Sequence, residues 1–138
     1  KEYGEEGDAP RIARAIIEVR KGHQISDSKE LAGIVASAKK GRGKTHPATK
    51  TFQALRIEVN GEFANLQQGL QAATEVVRRS GRIGVITFHS LEDRIVKGFM
   101  RDHPDLRPVS KKPFRPGRDE VRTNRRARSA KLRIAEKI

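Results

Sequence analysis

The segment Gly81–Lys97 reads GRIGVITFHSLEDRIVK and passes from a predicted strand into a predicted helix. Residues 83–88 are almost continuously apolar, which is typical of a buried parallel strand. Ser90 and Asp93 follow at the spacing of a capping box and predict a helix that continues through Met100. Because a helix is also predicted before the strand, the order helix, strand, helix indicates an α/β unit whose sheet is covered on both faces.

Two shorter helices are predicted near the start of the chain. Residues 8–21 carry an apolar side, and Asp8 lies where it can cap the first turn. Asp27 and Glu30 form a capping box ahead of the second helix.

A long helix is predicted over residues 47–79. Asn60 and Gly61 lie inside it, and a helical glycine costs about 1 kcal/mol relative to alanine, so we expect a kink or a break there. Apolar residues at steps of three and four predict one buried stripe along this helix: Phe52, Leu55, Val59, Phe63, Leu66, Leu70, Ala73 and Val77.

Basic residues are concentrated in two parts of the chain. The net charge is +13, and residues 107–138 hold twelve Lys or Arg against three acids, which is +9 of that total. A second basic stretch has no acid within it and comprises Lys39, Lys40, Arg42, Lys44 and Lys50. Such clusters attract polyphosphates by releasing their counterions, so a nucleic acid is favoured as partner over a merely solvated face or a disordered tail.

The end of the chain is predicted to contain two strands, at residues 106–114 and 131–138, separated by an irregular basic segment at 115–130. The absence of cysteine excludes disulfides and thiolate metal sites and fits a cytoplasmic protein. No apolar stretch reaches the roughly 20 residues of a membrane span, and no signal-peptide pattern opens the chain. The first residue is Lys1 rather than Met, which suggests that an upstream portion is missing, although processing would leave the same mark.

His89 is the candidate for contact with a substrate. It lies where a strand ends and a helix begins, and open α/β sheets bind ligands at such junctions. Ser90 and Asp93 are explained by capping alone. Ser90 is rejected as a nucleophile because His89 and Leu91 flank it instead of small residues. A metal site is rejected as well, since His89 and Glu92 have no further ligands at defined spacing.

A polar set on the long helix is the second candidate. Lys50, Gln53, Arg56 and Asn60 follow at steps of three and four and therefore share one face. An ordinary exposed helix face would look the same.

Three strings resemble signatures of the small-subunit rRNA cytosine-N4 methyltransferase family, also called the MraW or RsmH family. They are residues 44–62 (KTHPATKTFQALRIEVNGE), residues 81–97, and residues 128–136 (RSAKLRIAE), and they occur in the family's order. Tyr3-Gly-Glu-Glu6 matches a weaker upstream pattern. The chain departs from the family at Lys50, where Arg is usual, and at Arg125, where Pro is usual.

The resemblance implies the C-terminal portion of a class I, doubly wound α/β methyltransferase with part of an inserted helical domain. Residues 1–58 would belong to the insertion and its connecting helix, and residues 59–138 to the α/β methyltransferase domain, with the last strand antiparallel. The implied cofactor is S-adenosyl-L-methionine, bound by an N-terminal half absent here, so that no residue of this chain is assigned to cofactor binding and none to a metal.

The implied reaction is methylation of N4 of a cytidine in 16S rRNA of the small ribosomal subunit, by a cytoplasmic enzyme with no membrane partner. A homodimer is left open, and this chain is expected to be inactive alone. His89, the candidate catalytic residue, would contact the reacting base or its backbone. The residues expected to bind RNA are His46, Lys50, Arg56, Asn60, Arg125, Arg126, Arg128 and Lys131.

Two alternatives remain beside this reading. The chain could be a stand-alone basic RNA-binding module without catalysis, which would bind RNA without a cofactor. It could also be a structural piece of the enzyme with no function of its own.

Overall fold

A computed structural model describes residues 1–41 and 45–138. The chain forms two compact units, Lys1–Glu62 and Phe63–Ile138. Assignment of the chain's two parts to a helical insertion and a methyltransferase domain, with a boundary at residue 58, stays a prediction. Within the described residues no helix combines the length and apolar character that crossing a membrane requires.

The first unit is helical and contains α1 (Ala9–Gly22), α2 (Ser28–Ala38) and α3 (Thr49–Asn60). Its core is formed by Ile12, Val35 and Ala48, all at most 4% exposed. The predicted cap of α2 is confirmed, because the Asp27 carboxylate accepts the Glu30 N–H at 2.7 Å. Asp8 precedes α1 but its side chain does not cap it.

The long helix predicted over residues 47–79 is broken at Gly61. α3 ends at Asn60, Gly61 has the left-handed φ of 59° that glycine tolerates, and α4 runs from Glu62 to Val76. The break is therefore confirmed. The buried stripe is confirmed along α4, where Leu66, Leu70 and Ala73 belong to one core, but it does not continue through the end of α3. Val59 is 81% exposed, and the residue that α3 buries is Ile57.

The second unit combines α4 with a sheet and further helices. Its remaining elements are β1 (Arg82–Thr87), α5 (Ser90–Asp102), β2 (Leu106–Pro108), α6 (Arg118–Thr123), a 3-10 helix (Arg125–Ser129) and β3 (Lys131–Lys137). The predicted α/β class is confirmed. The prediction that residues 115–130 are irregular is wrong, since α6 and the 3-10 helix both lie there.

The sheet has the strand order β1-β3-β2, and both pairings are antiparallel. Ile83 lies opposite Ala135 and Ile86 opposite Leu132. The antiparallel last strand is confirmed, but in the described part of the chain β1 has no parallel neighbour. A continuous apolar run indicates burial and does not specify the direction of the partner strand.

The core of this unit lies on one face of the sheet. Helices α4 and α5 pack Leu70, Val96 and Met100 against Ile83 and Ala135. Side chains alternate along a strand, so Ile86 points to the opposite face, where it remains 59% exposed. The prediction that both faces are covered therefore fails around Ile86.

Candidate nucleic-acid interface

His89 lies between β1 and α5 and forms the N-cap of α5. Its Nδ1 accepts the Glu92 N–H at 3.3 Å, and the Glu92 carboxylate accepts the His89 N–H at 3.3 Å and the Phe88 N–H at 2.9 Å. The capping box is thus formed by His89 and Glu92, and the prediction that Ser90 and Asp93 form it is wrong. A side chain that accepts from the third helical residue stabilises a helix start whatever its type.

The second ring nitrogen of His89 has no hydrogen-bond partner among the described residues. Nε2 is buried and lies 3.0 Å from Oε1 of Glu92, but the two are not aligned for a hydrogen bond, and no described atom bonds to Nε2. The His89 ring also lies 6.1 Å from the Phe63 ring. Since Nδ1 accepts a backbone N–H, a neutral His89 carries its proton on Nε2.

The polar set of α3 is bonded within the first unit. Arg56 donates to both carboxylate oxygens of Glu62, at 2.6 and 3.0 Å, and Asn60 donates to the same carboxylate at 3.3 Å. Lys50 donates from Nζ to the Glu5 carbonyl at 3.0 Å. The structure therefore brings Arg56 and Asn60 together, as predicted from their spacing, and shows that an RNA phosphate would compete with Glu62.

His46 has a local structural role at the start of α3. Its Nδ1 accepts the Ala48 N–H at 3.2 Å, and its carbonyl accepts the Thr49 hydroxyl at 2.8 Å. Of the second basic stretch, Arg42 and Lys44 lie outside the described residues.

Arg125, Arg126 and Arg128 present three exposed guanidinium groups on the 3-10 helix. Ala127, which lies between them, is 6% exposed and anchors the helix, while the Asn124 side chain caps it by accepting the Arg126 N–H at 3.1 Å. No ion pair involves these arginines within residues 1–41 and 45–138. They are free to bind an external polyanion.

All 138 residues match the model of one protein family, described as the MraW methylase family. The chain belongs to the MraW methylase family. Its curated relatives include the ribosomal RNA small subunit methyltransferase H of Persephonella marina, 49% identical over 144 residues, which covers 100% of this chain and 49% of that protein. Proteins of the same name from Carboxydothermus hydrogenoformans and Trichodesmium erythraeum are 46% and 50% identical over 99% of the chain, covering 50% and 48% of their own lengths. The chain thus spans about half the length of these relatives.

Lys131, which was predicted to bind RNA, belongs to an internal cluster of charged residues in this MraW methylase chain. The Asp93 carboxylate on α5 accepts hydrogen bonds from the Arg133 guanidinium at 2.7 and 3.1 Å and from Lys131 Nζ at 3.4 Å. The Lys131 side chain is only 20% exposed. The hydrogen bond from Arg133, reinforced by both positive charges, holds the pKa of Asp93 below its ordinary value of 3.8. An RNA-binding role for Lys131 would require it to leave Asp93.

A second internal ion pair involves Lys39 of the basic stretch. Lys39 lies 2.7 Å from the Glu6 carboxylate, with side chains 17% and 8% exposed, and also donates to the Pro47 carbonyl at 3.2 Å. Burial alone would raise the pKa of Glu6, but hydrogen bonds from Lys39 and the Asp8 N–H and the charges of Lys39 and Lys50 outweigh it and place this pKa below 4.5. Sequence patterns gave no sign of this pair, because 33 residues separate its members.

Proposed function

We propose that this chain is the RNA-facing part of an S-adenosylmethionine-dependent enzyme that methylates N4 of a cytidine in 16S rRNA of the small ribosomal subunit. The match of all 138 residues to the MraW methylase family carries the proposal. The relatives are named as methyltransferases of small-subunit ribosomal RNA. Because the chain spans about half their length, the complete reaction requires the rest of a family-length protein.

S-adenosylmethionine is assigned to that remaining part. The β1–α5 junction is where an open sheet would bind a ligand, yet it contains no Gly-rich turn. Its carboxylate, Glu92, already accepts the N–H groups of Phe88 and His89, which leaves it poorly placed to bind a ribose. The residues at this junction therefore do not fit the cofactor.

The chemistry of the acceptor explains what this chain contributes. The exocyclic amine of cytosine is a weak nucleophile because its lone pair is delocalised into the ring. Alignment of the amine with the methyl donor therefore supplies much of the catalysis, and the base must leave its stack to be aligned. Residues that bind the RNA outside the reaction centre help to hold the unstacked base in line with the methyl donor.

His89 is proposed to contact the base as a hydrogen-bond donor. A proton on Nε2 makes that nitrogen a donor, whereas a general base would need a free lone pair there. Moving the proton to Nδ1 would direct it against the Glu92 N–H and break the α5 cap. The O2 carbonyl of the cytosine or a phosphate oxygen of the target nucleotide is an acceptor of the required kind.

The arginines of the 3-10 helix are proposed to bind the RNA backbone. Replacing Arg125, Arg126 and Arg128 with Gln should make the negative slope of log K against log salt concentration less steep by about 2 to 3, since each phosphate contact contributes roughly 0.7 to 0.9. Filter binding of the 138-residue chain to 16S rRNA measures this slope. The control neutralises Lys21, Arg82 and Arg107, three cations that pair with Glu18 or Glu136.

An equal slope for the arginine variant and the wild type would show that Arg125, Arg126 and Arg128 do not bind the RNA backbone. A wild-type chain without affinity for 16S rRNA would overturn the proposed function. The second candidate function is an RNA-binding module without catalysis. The observation that favours it is the exposure of the three arginines on the 3-10 helix. This candidate predicts the same binding but no methyl transfer when the rest of a family-length protein is supplied.

A further inference from the structure

A cavity of about 370 Å³ lies within the second unit, apart from His89 and the 3-10 helix. Its walls come from α5, the end of β2 with the residues that follow it, and β3. Met100, Pro108 and Ile134 supply apolar wall. Pockets that bind small molecules span roughly 300–1,000 Å³, so this cavity suits one small group rather than a folded partner.

The remaining wall is strongly basic. Lys97, Arg101, Lys111 and Arg133 all line the cavity, together with the hydroxyl-bearing Ser110, and no lining residue is acidic. A ligand in the cavity would therefore meet positive charge from both α5 and the segment after β2.

Two of these four cations form ion pairs with aspartates of the chain, and the other two do not. Arg133 binds Asp93 at 2.7 Å, and Arg101 binds Asp102 at 2.6 Å on the surface. Lys97 and Lys111 have no acidic partner among residues 1–41 and 45–138, and both are exposed. The cavity thus keeps an excess of about two positive charges, which favours an anionic ligand.

The position of Lys111 is supported by the buried cluster. Arg133, whose side chain is 10% exposed, donates to the Lys111 carbonyl at 3.4 Å while its other nitrogens bind Asp93. The backbone that carries Lys111 is therefore tied to β3 and α5.

We infer that this cavity binds one unpaired nucleotide of RNA, with its base against Met100, Pro108 and Ile134 and its phosphate between Lys97 and Lys111. An apolar pocket with an anion-binding rim matches the two halves of a nucleotide, and the guanidinium group of Arg101 can stack on the face of the base that stays exposed. This inference rests on the proposed rRNA substrate and adds a second contact, distinct from the arginines of the 3-10 helix.

Cross-linking tests the site directly. The full 138-residue chain is irradiated with a single-stranded oligoribonucleotide that contains 4-thiouridine, and the cross-linked peptides are identified by mass spectrometry. We expect cross-links within residues 97–111. Ser110 is exposed, and Ser110→Phe fills the cavity without changing its charge. This variant should abolish the cross-links, and circular dichroism should show an unchanged fold.

Salt dependence tests the two lysines. Lys97→Ala with Lys111→Ala should make the negative slope of log K against log salt concentration less steep by about 1.4, because each phosphate contact to a single strand contributes roughly 0.7. Lys112→Ala is the matched control, since Lys112 is the neighbouring exposed lysine and does not line the cavity. Its slope should equal that of the wild type.

RNA binding with cross-links confined to residues 125–131, and equal slopes for the double variant and Lys112→Ala, would overturn the nucleotide site and leave the proposed function standing. Protection of Lys97 and Lys111 by an acidic peptide but not by RNA would assign the cavity to a protein partner and likewise overturn it. Absence of any RNA affinity in the wild type would instead overturn the proposed function itself.

Discussion

Replacing Asp93 with alanine should destabilise the second unit by about 3 kcal/mol. The change leaves Arg133 and Lys131, 10% and 20% exposed, beside one another without their shared counter-charge. Breaking a buried ion pair costs roughly 3–5 kcal/mol. The lower end applies because some solvent reaches both cations. A loss of this size lowers the folding equilibrium constant about a hundredfold.

Hydrogen–deuterium exchange of the peptides that contain β1 and β3 measures this loss where it occurs, and urea denaturation measures it for the chain. Asp102→Ala is the matched control. Asp102 is also an aspartate of α5 paired with an arginine, at 2.6 Å, but both side chains are more than 60% exposed. Solvent screens such an exposed pair, so this control should change the stability of the chain little.

A double variant separates loss of the counter-charge from loss of packing. Asp93→Ala combined with Arg133→Met removes the stranded guanidinium, so it should be more stable than Asp93→Ala alone. A loss of stability in Asp93→Ala no greater than in Asp102→Ala would contradict this role of Asp93, and so would a double variant that is less stable than Asp93→Ala.

Three further predictions concern acid, the cofactor and His89. The pKa of Asp93 lies below 3.8 and that of Glu6 below 4.5, so both carboxylates stabilise the fold at pH values above these. Thermal denaturation should show this stability falling as the pH drops through the lowered pKa values of the folded state. A melting temperature that does not change in acid would contradict this prediction. Calorimetry should detect no complex between this chain and S-adenosylmethionine, and a stoichiometric one would place the cofactor site here. His89→Ala should cost about 1 kcal/mol as a lost cap. His89→Asn should restore that stability, but its amide N–H groups lie elsewhere than the imidazole Nε2–H. Methyl transfer by the family-length protein should therefore stay about a hundredfold slower, the effect of displacing one positioned donor, and full recovery of transfer would limit His89 to capping.

Local features of the chain were predictable from the sequence. The cap at Asp27 and the break at Gly61 depend on residues within one helical turn, and the structure contains both. The cap of α5 was missed because histidine is not among the preferred N-cap residues, although Glu92 at the third helical position was a usable signal.

Features that depend on distant partners were not predictable. The composition of β1 indicates burial, but its antiparallel direction is set by β3, more than 40 residues later. Lys131 was predicted to bind RNA because local charge was the only information, and its pairing with Asp93 spans 38 residues. The cationic cavity likewise combines side chains from α5, β2 and β3.

Nucleoside analysis of methylated rRNA tests the proposed function most directly. The Persephonella marina relative, with its matching half replaced by this chain, would be incubated with 16S rRNA transcribed in vitro and S-adenosylmethionine carrying a deuterated methyl group. Digestion and mass spectrometry should then show the label in N4-methylcytidine, and this chain alone should transfer none. Label in 5-methylcytidine or a 2′-O-methylated nucleoside, or no label from a chimera that binds both cofactor and RNA, would contradict the account.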